Sequence, residues 1–100
     1  MLNQIVIVGR LNKDPEIIKE DEKNMCNIEL IVQRAYKNEK GEYETDKVPV
    51  TLYQGIADNT AEYCHKGDII GVKGRIQVIN DKLNIVAEKI TFLASKKENE

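Results

Sequence analysis

From Ile69 to Ala94 the chain alternates so regularly that little but a hairpin can accommodate it. Ile70, Val72, Ile76 and Val78 fall on one side with Lys73, Arg75 and Gln77 between them, the period of two that a strand with one buried face produces. Asn80-Asp81 has turn chemistry, and Leu83, Ile85 and Ala87 resume the alternation on a returning strand. Just upstream, Cys64-His65-Lys66-Gly67-Asp68 reads as a helix end and a turn. Gly67 suits a position that needs positive φ, and Lys66 suits the negative end of a helix dipole. One face of the outgoing strand is therefore a row of long polar and cationic side chains on a rigid sheet. That row is the best clue to function.

The remainder of the chain supplies the partners such a hairpin needs. Asn3 to Leu11 contains Ile5-Val6-Ile7-Val8, a continuous β-branched run closed by Gly9, which reads as a strand covered on both faces. In a small barrel one of those faces meets the core, so the other calls for a cover, and a second subunit is the simplest one. Asn12 to Pro15 is a turn, Glu16 to Lys19 a brief strand, and the charged stretch to Asn24 a hairpin loop. Met25 to Tyr36 is a long strand: Cys26, Ile28, Leu30 and Val32 point one way, Asn27, Glu29, Ile31 and Gln33 the other. Tyr36 has inward parity and reaches the outer face only if a bulge or the strand end re-aims it.

Lys37 to Asp46 is a polar hairpin loop with Gly41 in its middle and Tyr43 near its tip. Lys47 to Tyr53 alternates again, with Val48, Val50 and Leu52 inward and Lys47, Pro49, Thr51 and Tyr53 outward. Pro49 cannot donate to a ladder, so an edge or a bulge is expected there. Ile56, Ala57, Thr60, Ala61 and Cys64 then recur at helical spacing, and Tyr63 is expected to pack. Three strands, one short helix and two strands is the order of the OB-fold, an all-β Greek-key barrel of five strands with a helix between the third and fourth. The expected domain runs over residues 1–95, followed by a short charged tail at 96–100.

Composition narrows the class without choosing a function. At 100 residues, 41% hydrophobic and 32% charged, the chain suits one soluble domain. No apolar run is long enough to span a membrane, and no signal peptide opens the chain. Cys26 and Cys64 are therefore expected reduced, in a cytoplasmic protein. A net charge of −2 argues against binding nucleic acid by bulk charge, but local potential is what steers a ligand. His65 is the only histidine, and the two cysteines lack metal-ligand spacing. Cys64 and His65 are neighbours with no orienting acid, so neither an enzyme, a metal nor a cofactor is expected.

Binding a single strand requires cations that track phosphates and flat side chains on which bases stack. The candidate cations are Arg10, Arg34, Lys37, Lys47, Lys73 and Arg75; the candidate platforms are Tyr36, Tyr43 and Tyr53. Spacing alone favours an ordinary wet strand face for Lys73 and Arg75, and fits Tyr53 packed over the helix as well as Tyr53 free to stack.

The opening Leu2 to Leu11, with Lys13-Asp14-Pro15-Glu16 after it, resembles the start of bacterial single-stranded DNA-binding proteins. Gly41-Glu42, Val50-Thr51-Leu52-Tyr53, Ala57 to Tyr63, Lys66-Gly67-Asp68 and Gly71-Val72-Lys73-Gly74-Arg75-Ile76 continue the resemblance in order across nearly the whole chain. It implies an OB-fold whose subunits assemble, usually as tetramers, with dimers the alternative. It also implies stacking aromatics at the end of the second strand, on the third strand and at the tip of the last hairpin. Tyr36 and Tyr53 fall on two such positions. Lys47 stands where the family often has another aromatic, and the Asn80-Asp81 turn carries none. At roughly 1–3 kcal/mol per stacked base, two missing platforms imply a weaker and more salt-sensitive binder.

Members that recruit replication and repair enzymes end in an acidic tip with a terminal Pro-Phe, whereas this chain ends Lys96-Lys97-Glu98-Asn99-Glu100. The resemblance therefore implies a single-stranded DNA coat for replication, recombination or repair, with other replication proteins as further partners. The alternative is a primosome-type interaction module of the same fold with little DNA affinity.

Overall fold

The computed structural model describes residues 1–95, so the charged tail at 96–100 lies outside the described residues. Its strands are β1 (Ile5–Leu11), β2 (Ile18–Glu20), β3 (Lys23–Lys37), β4 (Tyr43–Tyr53), β5 (Ile69–Ile79) and β6 (Lys82–Ala94), with helix α1 (Gln54–Tyr63) between β4 and β5. They form one sheet in the order β1-β5-β6-β4-β3-β2, and a further β1–β3 pairing closes it into a barrel. The five long strands and the helix follow the expected order. β2 adds a three-residue hairpin arm to β3.

Inward residues from every long strand fill the barrel. Leu11, Cys26, Ile28, Leu30, Leu52 and Ile70 are all at most 2% exposed, as the period-two reading required. Ala57, Thr60 and Cys64 turn the buried stripe of α1 onto one end of the barrel. The helix lacks a side-chain cap, so tertiary packing rather than local chemistry holds it. Asn24 Nδ2 also donates to Asp58 Oδ1 at 2.8 Å, fixing α1 to β3. Cys26 and Cys64 are free, buried thiols, and burial pushes both above the ordinary thiol range.

The turn before β5 docks onto the end of β1. Gly67 has φ +94°, and its N–H donates to the Leu11 carbonyl at 2.9 Å while Leu11 N–H donates to the Asp68 carbonyl at 2.8 Å. Asn80 and Asp81, with φ +52° and +63°, make the tight last hairpin.

Three expectations need correction. Ile76 and Val78 share the parity of buried Ile70 and Val72, yet are 38% and 65% exposed, because the β5–β6 ribbon outruns the barrel that would cover them. Tyr63 is 67% exposed rather than packed. Tyr43 is not at a loop tip: it opens β4 opposite Lys37, and the loop shrinks to residues 38–42. Asn38 organises that loop, its Oδ1 accepting from the Lys40 and Glu42 backbone N–H groups.

Candidate nucleic-acid interface

Cross-strand partners share a face, so the register decides which outward side chains form one surface. Three rows can be traced across the outside of the barrel. The first is Ile18–Met25–Tyr53, over β2, β3 and β4. Tyr53 ends β4 and is 38% exposed, while Met25, flanked on both sides, is only 7% exposed. Ring and thioether make one semi-rigid seat.

The second row is Asn27–Thr51–Val86–Arg75, over β3, β4, β6 and β5, with Thr51 and Val86 buried and only its ends reaching solvent. Thr51 Oγ1 donates to Asn27 Oδ1 at 3.3 Å. Thr51 and Tyr53 are two residues apart on one strand and so point to the same side. Tyr53 and Arg75 consequently lie on the same outer face. Arg75 Nη2 donates to Gln77 Oε1 at 3.2 Å, and Nη1 stands 3.7 Å from Glu88, too long for a firm hydrogen bond.

The third row is Ile69–Arg10–Ile31–Lys47. Arg10 Nη1 donates to the Gly67 carbonyl at 2.9 Å, which fixes the guanidinium without neutralising it. Lys47 is exposed and has no acidic partner among the described residues.

The remaining candidates fall elsewhere. Arg34 has the parity of the core side, and its guanidinium is engaged: Nε and Nη2 donate to Asp46 at 3.1 and 2.9 Å, Nη1 to Glu44 at 2.6 Å. Those bonds from Arg34 hold the Asp46 carboxyl below the usual carboxylate range, and Asp46 in turn raises the guanidinium's pKa. Tyr36 lies in an irregular stretch, between Gln33 paired to Thr45 and Lys37 paired to Tyr43, with its ring 74% exposed. The irregularity takes up two extra β3 residues, which leaves Tyr36 on the opposite parity to Lys37 and Tyr43, so its exposure comes from the strand end and not from a parity-switching bulge. Lys37 Nζ sits 5.7 Å above the Tyr43 ring, a cation–π contact that ties the two together.

Lys73 pairs with Val6 on one side and Lys89 on the other. It borders an apolar patch of Val6 and Val8, 70% and 52% exposed, with Leu93 folded over Gly71. Lys89 was not legible in the sequence: between Lys73 and Gly74 the β6 register skips Glu88, and no alternation pattern reveals a bulge of that kind.

The sequence model of the single-strand binding protein family matches residues 2–93. The chain belongs to that family. Single-stranded DNA-binding protein 1 of Clostridium acetobutylicum is 39% identical over 108 residues, an alignment covering 97% of this chain and 98% of that protein. Single-stranded DNA-binding protein B of Bacillus subtilis is 46% identical over 78 residues, covering 77% of this chain and 69% of that protein. A Staphylococcus aureus single-stranded DNA-binding protein is 34% identical over 110 residues, covering all of this chain and 70% of its own. As a member of the single-strand binding protein family, this chain has Tyr53 beside buried Met25, Lys47 on its third barrel strand, and a last hairpin closed by Asn80-Asp81.

Proposed function

We propose that the chain binds and coats single-stranded DNA with little dependence on sequence, on the outer face that Tyr53 and Arg75 share across the buried Thr51 and Val86. That shared face, in a member of the single-strand binding protein family, is the observation that carries the reading. Bases stack on Tyr53 and on the exposed Tyr36, and phosphates follow Arg75, Arg10 and Lys47. Tyr43 lies with Lys37 at the far end of this path. Lys73 stands at its seam with the Val6–Val8 patch, and Arg34 is a structural residue of the hairpin. No enzyme chemistry is involved; the family is one of binding proteins.

The Val6 and Val8 side chains are covered by a second copy of the chain, so the working unit is a homo-oligomer, a tetramer first and a dimer second. Among the described residues no helix is long and apolar enough to cross a membrane, and the cytoplasm is the proposed location. Replication, recombination and repair are the processes that expose single strands to such a coat.

Anisotropy titration of oligo-dT over a salt series, with particle size followed by light scattering, tests this reading. Affinity is expected to fall steeply with salt, with a slope of about −0.7 per phosphate contact on a single strand. Lys47→Ala is expected to make that slope shallower by about 0.7, whereas Arg34→Ala leaves it nearly unchanged because its charge is already matched by Asp46 and Glu44. Absence of binding to any single strand would leave the alternative, an interaction module of the primosome type, which the net charge of −2 favours.

A further inference from the structure

Beside Tyr53 lies a cleft of about 170 Å³ lined by Glu20, Asp21, Lys23, Met25 and Tyr53. It is smaller than sites for drug-sized ligands, roughly 300–1,000 Å³, and offers room for a single ring system. Its floor is the apolar Met25 and the face of Tyr53; its rim is charged. The β2–β3 turn puts Glu20 opposite Lys23, with Asp21 and Glu22 at φ +51° and +65°. Neither the Glu20 nor the Asp21 carboxylate accepts a side-chain hydrogen bond or forms an ion pair with any described residue. Ionised carboxylates are acceptors only. The two carboxylates outnumber the single Lys23 ammonium on the rim, so the balance disfavours a phosphate there and the acceptors suit the donor edge of a base.

Resting on the single-strand reading above, we propose that the Tyr53 cleft prefers bases that carry an exocyclic amino group, cytosine over thymine among pyrimidines, with Glu20 and Asp21 as the acceptors. Cytosine N4 offers two N–H groups at its edge, which carboxylates accept. Thymine's one N3–H is flanked by two carbonyl oxygens that repel a carboxylate. Comparing two pyrimidines keeps the stacking area on Tyr53 similar, so the amino group is what the comparison isolates.

The test is competition anisotropy of the full chain with oligo-dC and oligo-dT of equal length, on wild type and on Glu20→Gln/Asp21→Asn. Asparagine tolerates the positive φ of Asp21, and circular dichroism checks that the variant is folded. Wild type is expected to favour oligo-dC roughly five- to tenfold. In the double variant both affinities rise, because two negative charges are gone, and the ratio falls to about one or below, since an amide can donate to thymine O4. A purely electrostatic rim would raise both affinities and leave the ratio where it was. A wild-type ratio near one, or a preference that survives the double variant, overturns the inference while the coating function stands. Failure of every oligonucleotide to bind removes the function and the inference together.

Discussion

Tyr53→Ala lowers the affinity for oligo-dT by about an order of magnitude, within a range of roughly 5- to 150-fold, the equivalent of one stacked base at about 1–3 kcal/mol. The loss is large because the ring needs little ordering on binding. Met25 already lies beside it in one cross-strand row, itself backed by Ile18, and Tyr53 heads α1 from the end of β4. A side chain held in place before the ligand arrives gives up less entropy when it does. Tyr36, 74% exposed in an irregular stretch of β3, has no such seat, and its replacement by alanine is expected to cost less. Tyr53→Phe retains stacking and should bind nearly as wild type. Tyr53→Leu covers Met25 without offering a flat ring and should behave like alanine. Thermal melts of all three show whether the barrel is intact. If Tyr53→Ala melts normally and binds as tightly as wild type, DNA uses some other face.

Which residues face the core was largely readable, because a strand with one buried side must repeat every two residues. Cys26, Ile28 and Leu30 on β3, Val50 and Leu52 on β4, and Ile70 and Val72 on β5 are all nearly inaccessible. Parity says which side a residue faces; it does not say whether anything lies there. Ile76, Val78 and Leu83 have the inward parity of their strands and remain 38–65% exposed beyond the barrel's rim. Tyr63 differs for a related reason: it lies on the helix, but the narrow buried stripe runs Ala57, Thr60, Cys64 and leaves Tyr63 beside it, facing solvent.

The site was legible only in its parts. Lys73 and Arg75 share a strand face, but their neighbours differ. Arg75 lies beside Val86, with Thr51 beyond it, and Lys73 lies beside Val6 and Lys89; long-range register of that kind leaves no local trace. Arg34 resembled a phosphate ligand because its two carboxylates arrive from the returning strand, 10 and 12 residues further on. Met25, read simply as the start of a strand, is the buried cross-strand neighbour of Tyr53.

The same register makes one glycine decisive for fold and site at once. A Cβ on Gly74 would stand 2.3 Å from the Val86 carbonyl oxygen and 3.1 Å from its carbonyl carbon. Both are backbone atoms of the neighbouring strand, so no side-chain rotation relieves the clash, and β5 and β6 must separate. Overpacking of this sort costs roughly 1–3 kcal/mol and sometimes more. For a chain of this size that is a fall in melting temperature of about 4–8 °C per kcal/mol, so Gly74→Ala is expected to melt about 4–24 °C below wild type. Gly55→Ala is the matched control: it lies in α1 with nothing within 4 Å of its Cβ position, and alanine there should be neutral or slightly stabilising. The site suffers beyond the loss of stability. Gly74 pairs with Ala87 at the point where β6 skips Glu88, and that skip sets Val86 between Arg75 and Thr51. Pushing β6 away moves Arg75 out of the row that ends beside Tyr53. At a temperature where the variant is still folded, Gly74→Ala should therefore bind oligo-dT more weakly than Gly55→Ala, with a shallower salt slope. A variant that melts with wild type would mean the two strands are not packed as closely as their register requires, and the surface joining Arg75 to Tyr53 would lose its foundation.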